Sequence, residues 1–110
     1  MNLDAEKQKY IVHADASIEE AWSKIEINRH RSVIVTENEK AVGTLSDGDI
    51  RKAIMSQRLL TTPVREVMNT NFRSLTPGMI TNAAALFEER DIFLLPVVNE
   101  QMVLLDVIAR

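Results

Sequence analysis

Ser46 and Asp49 stand three residues apart in the run Ser46-Asp47-Gly48-Asp49, immediately ahead of an apolar-periodic segment. A hydroxyl and a carboxylate at that spacing have two chemical uses. As an S-x-x-D capping box they satisfy orphan backbone N–H groups at a helix start, worth roughly 1 kcal/mol, and need no ligand. The same carboxylate can accept from hydroxyl donors, and the hydroxyl with the free N–H groups of a helix start suits an anion. A divalent metal is not expected, because Asp47 and Asp49 are too few for a calcium loop and no His or Cys supplements them. The histidines are His13 and His30, and no nucleophile elbow or P-loop occurs, so catalysis is not expected either.

The chain that must position these groups has 110 residues, enough for one shared core but not for two independent domains. Its apolar share of 45% and its 3 Gly and 3 Pro mark a globular chain. A net charge of -3 without a Lys/Arg cluster argues against a nucleic-acid face. The absence of cysteine excludes disulfides and thiolate zinc sites. A polar N-terminus and the lack of a long apolar run point away from a membrane and toward the cytoplasm.

Ile18, Ala21, Trp22 and Ile25 form a helical stripe behind a Ser17–Glu20 capping box, and Trp22 is expected to pack in the core. Residues 32–36 and 41–45 read as a hairpin turning through Glu37 to Lys40, and the helix opened by Ser46 should face inward with Ile50, Ala53 and Ile54 before ending at Ser56 and Gln57. The pattern then returns 62 residues later: Ile80, Ala83, Ala84 and Phe87 repeat the first stripe, residues 94–98 the first strand, and Met102 to Ile108 the second. The lead-ins Tyr10 to Ala16 and Phe72 to Gly78 correspond too. The chain therefore divides into residues 1–62 and residues 63–110. The second repeat lacks a counterpart of the helix after Ser46, so the sequence is expected to be a domain excised from a longer protein, or one whose open face a second copy covers.

A duplicated helix-strand-strand-helix unit carrying Gly43-Thr44-Leu45-Ser46-Asp47-Gly48-Asp49, with Leu95-Pro96-Val97-Val98-Asn99-Glu100 and Val64-Arg65-Glu66-Val67-Met68 in its second half, resembles a pair of CBS (cystathionine β-synthase) domains, a Bateman module. The resemblance covers about residues 8–110. It implies an α/β (α+β) fold of small sheets flanked by helices with pseudo-twofold symmetry. It implies a regulatory module rather than an enzyme, one that senses an adenosine-containing ligand such as AMP, ADP, ATP or S-adenosylmethionine. No cofactor is required. Ser46-Asp47-Gly48-Asp49-Ile50-Arg51-Lys52 and Leu60-Thr61-Thr62-Pro63-Val64 resemble most the pairs attached to sugar nucleotidyltransferases and arabinose-5-phosphate isomerases.

Carried over position by position, the resemblance puts Asp49 on the ribose hydroxyls and Ser46 on phosphate. It puts His30 or Arg31 on phosphate too, with Arg29 as a substitute, although a His at a helix end commonly meets the last carbonyls instead. Thr76 and Thr81 would line the opposite wall, with Met102 or Val103 closing on the base, although Thr76-Pro77 also reads as a helix start. Ile108 stands where the second cleft needs a hydroxyl, so at most one competent site is expected. The competing expectation is a homodimerisation module of the parent enzyme with no working ligand site.

Overall fold

The computed structural model describes Leu3 and residues 5–89 and 92–110. A 3-10 turn at Ala5–Tyr10 leads into β1 (Ile11–His13), α1 (Ile18–Asn28), β2 (Ser32–Glu37), β3 (Lys40–Ser46) and α2 (Asp47–Met55). After 3-10 turns at Val64–Glu66 and Pro77–Asn82 come α3 (Ala83–Leu86), β4 (Leu94–Val98) and β5 (Leu104–Ala109). This is the α+β arrangement expected, with a three-stranded sheet ordered β1-β2-β3 and a two-stranded sheet β4-β5.

α1 begins where its sequence says it should, because the Ser17 side chain accepts from the Glu20 N–H at 3.1 Å. It ends at Arg29, whose left-handed φ of 61° lets its N–H reach Ile25 O. Ile18, Ala21 and Ile25 are buried against the sheet. Trp22 is not, with 38% of its surface exposed beside Glu19, Ser23 and Glu26. The expectation of a core tryptophan fails because the inward line of α1 runs through positions 18, 21, 25 and 28, one flank away from the indole. Buried Asn28 completes that line, its amide donating to Lys9 O and Ser32 O. On α2, Ile50 and Ala53 are buried as expected, but Ile54 is 42% exposed.

β2 lies at the centre of the molecule. It runs parallel to β1 and antiparallel to β3, and its residues alternate between two cores. Val33 and Val35 face α1 and α2 with Ile18, Leu45 and Ile50. Ile34 faces the other way, into a cluster with Tyr10, Ile11, Leu94, Val98, Leu104 and Val107 that joins the two halves of the chain. The duplication shows in a detail of register. The β2–β3 ladder slips between Val35 and Thr36, and the β4–β5 ladder slips between Val97 and Val98, at the same place 62 residues later. Leu75 makes a parallel bridge to Val97 where the first half has β1.

The second half departs from the first at its helix. Instead of a full α-helix carrying Ile80, Ala84 and Phe87, the chain forms a 3-10 turn and the single α-turn of α3. Ile80 is 43% exposed and Ala84 is exposed, leaving Ala83 buried with Leu86 and Phe87 half-buried. Neither Thr76 nor Asn82 caps with its side chain, so nothing equivalent to Ser17 starts a regular helix there. The return strand also begins at Leu104 rather than Met102, which takes a turn conformation with φ 67°.

The connecting segment after α2 is clamped to the first sheet. Pro63 bridges Ser17, Asn69 bridges Thr44, and Arg65 reaches Asp15 and Glu37, each at 2.6 Å. Hydrogen bonding to the Arg65 guanidinium holds both the Asp15 and Glu37 carboxyls below the ordinary carboxylate range. Because both values are depressed on folding, their stabilisation is present above the ordinary carboxylate range and disappears as pH falls through the lowered values. Arg65→Met should therefore flatten the acid limb of the stability–pH profile, measured by urea denaturation at a series of pH values. An unchanged acid limb would show that this ion cluster adds nothing.

Candidate functional site

The run Ser46 to Asp49 sits where β3 ends and α2 begins. Its capping box is complete: Asp49 N–H donates to Ser46 Oγ at 3.1 Å and Ser46 N–H donates to Asp49 Oδ2 at 2.9 Å. Of the two uses open to this pair, the cap is made in full. It occupies only one carboxylate oxygen, so Asp49 Oδ1 is uncommitted among the described residues. Capping and ligand binding are compatible here.

Asp49 lies on a cleft of about 510 Å³ between the two halves of the chain. One wall is the start of α2 with Ser46, Arg51 and Lys52. The opposite wall comes from the connecting segment, through Asn69, Asn71, Phe72 and Arg73, and from the approach to β4, through Ile92 and Phe93. Arg31 closes one end of the cleft. Its carbonyl accepts from Asp47 N–H at 2.9 Å, its Nε donates to Asp47 Oδ2 at 3.0 Å, and its guanidinium lies 4.9 Å from the Phe93 ring centre. A left-handed φ of 64° at Arg31 aims the chain for these contacts.

The cleft therefore unites three of the residues singled out from sequence, Ser46, Asp49 and Arg31. The others lie elsewhere. His30 turns away into the joint between the halves, edge-on to Tyr10 at 5.5 Å, with Nδ1 2.7 Å from Asn28 O and Nε2 3.2 Å from Arg110 O. Its ring lies between a helix-end carbonyl and a chain-end oxygen, and donates to whichever the tautomer serves, the structural use its position allowed. Thr76 and Thr81 are exposed at the two ends of the 3-10 turn Pro77–Asn82, and neither lines the cleft. Met102 and Val103 meet the far end of β3, where Met102 O accepts from Ala41 N–H and Val103 bridges Lys40. At about 3.3 Å per residue that is roughly 20 Å along the strand from Ser46. One ligand cannot touch both ends, so these residues do not share a site with Asp49.

The opposite wall is what the sequence did not disclose. Residues 69–73 form no regular element and carry no periodicity, and only the Thr44–Asn69 bridge brings them opposite α2. Asn69, Asn71, Phe72 and Arg73, polar and aromatic groups in a segment between two repeats, were the available signal. His13, Asp15 and Glu37 also converge at an exposed corner, but Arg65 already occupies the two carboxylates.

A family model for the CBS domain matches residues 6–56, the segment from the first 3-10 turn through α2. Solved CBS-domain proteins superpose over nearly the whole chain. The chain has the fold of a CBS-domain pair. The AcuB protein of Vibrio cholerae shares 28% identity over 91% of this chain and 76% of its own, with a TM-score of 0.79. The CBS-domain protein PAE2072 from Pyrobaculum aerophilum, solved in complex with AMP, shares 22% identity over 90% of this chain and 78% of its own, with a TM-score of 0.69. The CBS pair of protein MJ0100, in complex with 5'-methylthioadenosine and S-adenosyl-L-methionine, shares 20% identity over 90% and 82%, with a TM-score of 0.71. No curated protein matches the chain. Among the described residues no helix is long and apolar enough to cross a membrane.

Proposed function

We propose that this CBS pair is a cytoplasmic regulatory module that binds an adenosine-containing, phosphorylated ligand in the cleft above Ser46 and Asp49, and thereby modulates an attached enzyme of sugar metabolism, a nucleotidyltransferase or a sugar-phosphate isomerase. In this reading residues 1–62 and 63–110 are the two repeats. The observation that carries the proposal is Asp49, whose Oδ1 is a free acceptor among the described residues at the edge of a cleft formed by both halves. A carboxylate there can receive both hydroxyls of a ribose, while Ser46 and the first turn of α2 meet phosphate. Structural neighbours complexed with AMP or with S-adenosyl-L-methionine support the ligand class. Regulation then follows if the ligand binds one arrangement of the two halves better than another, since equal affinity shifts nothing.

Titration calorimetry with AMP, ADP, ATP and S-adenosylmethionine tests the reading. Asp49→Ala should weaken binding at least about tenfold, the scale of one lost charge-assisted contact. Because that change also removes half of a cap, Ser17→Ala serves as the control. It removes a cap from α1, costs about 1 kcal/mol, and should leave affinity intact. Equal affinity of wild type and Asp49→Ala would reject the site.

A second reading, a dimerisation module, draws on the exposed apolar side chains around the first repeat's helices: Met55 is 83% and Leu59 71% exposed, beside half-exposed Trp22, Ile54 and Leu60. Sedimentation velocity separates the two. A dimer indifferent to nucleotide, in a protein that binds none, favours scaffolding.

A further inference from the structure

The charges lining the cleft are segregated from those of the rest of the molecule. The chain as a whole carries a net charge of -3, yet the cleft is lined by Arg31, Arg51, Lys52 and Arg73 against Asp47 and Asp49. Asp47 is already engaged by arginine, and Asp49 is engaged at one oxygen while Oδ1 is kept for the ribose. Asp47 lies 3.0 Å from Arg31 and 3.8 Å from Arg51, and Asp49 accepts from the backbone of its own cap. Lys52 has no carboxylate partner among the described residues. Arg51 folds back over the start of α2, its guanidinium 3.6 Å from where a Cβ on Gly48 would stand. Arg73 is paired with Glu89 at 3.0 Å, so among the described residues the four cationic groups stand against three carboxylates, Asp47, Asp49 and Glu89, and the excess rests on Lys52, in a concave site where fields are focused. Anions gain from this arrangement. A ligand bearing its own positive charge would meet mostly like charges, with Asp49 Oδ1, which the ribose hydroxyls take, as its one open carboxylate oxygen among the described residues.

We propose that this cleft selects its adenosine ligand by phosphate charge, preferring nucleoside tri- and diphosphates to the monophosphate and discriminating against S-adenosylmethionine, with Arg51 and Lys52 as the residues that sense the added phosphates. The inference rests on the reading of the cleft as an adenosine-ligand site. The cap and Asp49 serve what every adenosine ligand has in common, whereas Arg51 and Lys52 supply charge that only a phosphate chain can use in full.

The test is calorimetric titration of the whole chain with adenosine, AMP, ADP, ATP and S-adenosylmethionine at low and at moderate salt, for wild type, Lys52→Ala and Arg51→Ala. Both positions are exposed on α2, and the fold of each variant is checked by its circular dichroism and melting curve. The expected result is an affinity that rises by about tenfold or more from AMP to ATP. That preference should shrink with salt and be compressed in both variants, while adenosine itself binds them as it binds wild type. S-adenosylmethionine should bind more weakly than AMP. Equal affinities for adenosine, AMP and ATP, or S-adenosylmethionine binding as tightly as ATP, would overturn the charge selection while leaving the site intact. Failure of all five compounds to bind would overturn the site and the selection together.

Discussion

Ile34→Ala is expected to lose about 2–5 kcal/mol of stability and to melt both halves of the chain in one transition. Ile34 is fully buried, and its side chain points away from α1 and α2 into the cluster formed with Leu94, Val98, Leu104 and Val107. The cavity left by three missing carbon atoms would open at the joint itself. The face of β4-β5 that carries Leu94, Val98, Leu104 and Val107 rests on this joint, while Leu95 on the other face packs with Leu75 and Ala83, and a single hairpin is marginal in water without packed faces. Urea denaturation should therefore show coincident curves when Trp22 fluorescence reports the first half and amide exchange of Val98 and Arg110, which donate to Leu75 O and Phe93 O, reports the second. If β4 and β5 lose protection well before the tryptophan signal changes, the halves fold independently and the shared core is not what holds them. The substitution Val33→Ala, one residue away but facing the helices, provides the comparison on the other core.

Gly43→Val should be nearly as damaging, for the opposite reason. A Cβ at Gly43 would stand 2.6 Å from Met68 Sδ, 2.9 Å from Met68 Cγ and 3.1 Å from Asn69 O. Glycine is required here by proximity, since its φ is an ordinary one. The methionine tip can swing aside, but the Asn69 carbonyl is tied into the bridge with Thr44, whose N–H it accepts at 3.0 Å. Overpacking of this kind costs about 1–3 kcal/mol, and it displaces the segment that builds one wall of the cleft. Loss of nucleotide binding should therefore accompany loss of stability. Gly43→Ala paired with Met68→Ala should recover most of the stability. If Gly43→Val is as stable as wild type, the connecting segment is not held against β3 in solution.

The first half of the chain was legible because its local signals agree with one another. Ser17 with Glu20, and Ser46 with Asp49, mark helix starts that the structure uses. The run from Ser32 to Thr36 is apolar on both faces, and the strand it forms is buried on both. Legibility fails where the outcome depends on a partner rather than on local pattern. Ile80 occupies the place of Ile18 in the repeat, but without a side-chain cap and with only a two-stranded sheet beneath, its helix does not form in full. Trp22 was misread because a stripe of four apolar positions spans more of the helix surface than the core covers. The candidate site was half legible for the same reason. Ser46 and Asp49 announce themselves through their spacing, whereas residues 69–73 become a wall only after the chain has folded back on β3.

The way β3 is fastened constrains how any signal could leave the cleft. Near Ser46 the strand exchanges two backbone hydrogen bonds with Asn69, and at its far end Ala41 donates to Met102 while Glu39 accepts from Leu104. A hinge needs one free edge about which to swing, and a strand stitched to the second half at both ends offers none. Opening like a clamshell would have to break the isolated bridges Thr44–Asn69 and Lys40–Val103. What remains is shear, a small sliding of the β4-β5 sheet across β2 with its side chains repacked around Ile34. Occupancy of such a cleft would be transmitted as a shift of ångström size rather than as domain closure, legible to a neighbouring protein surface only if that surface packs tightly against the module.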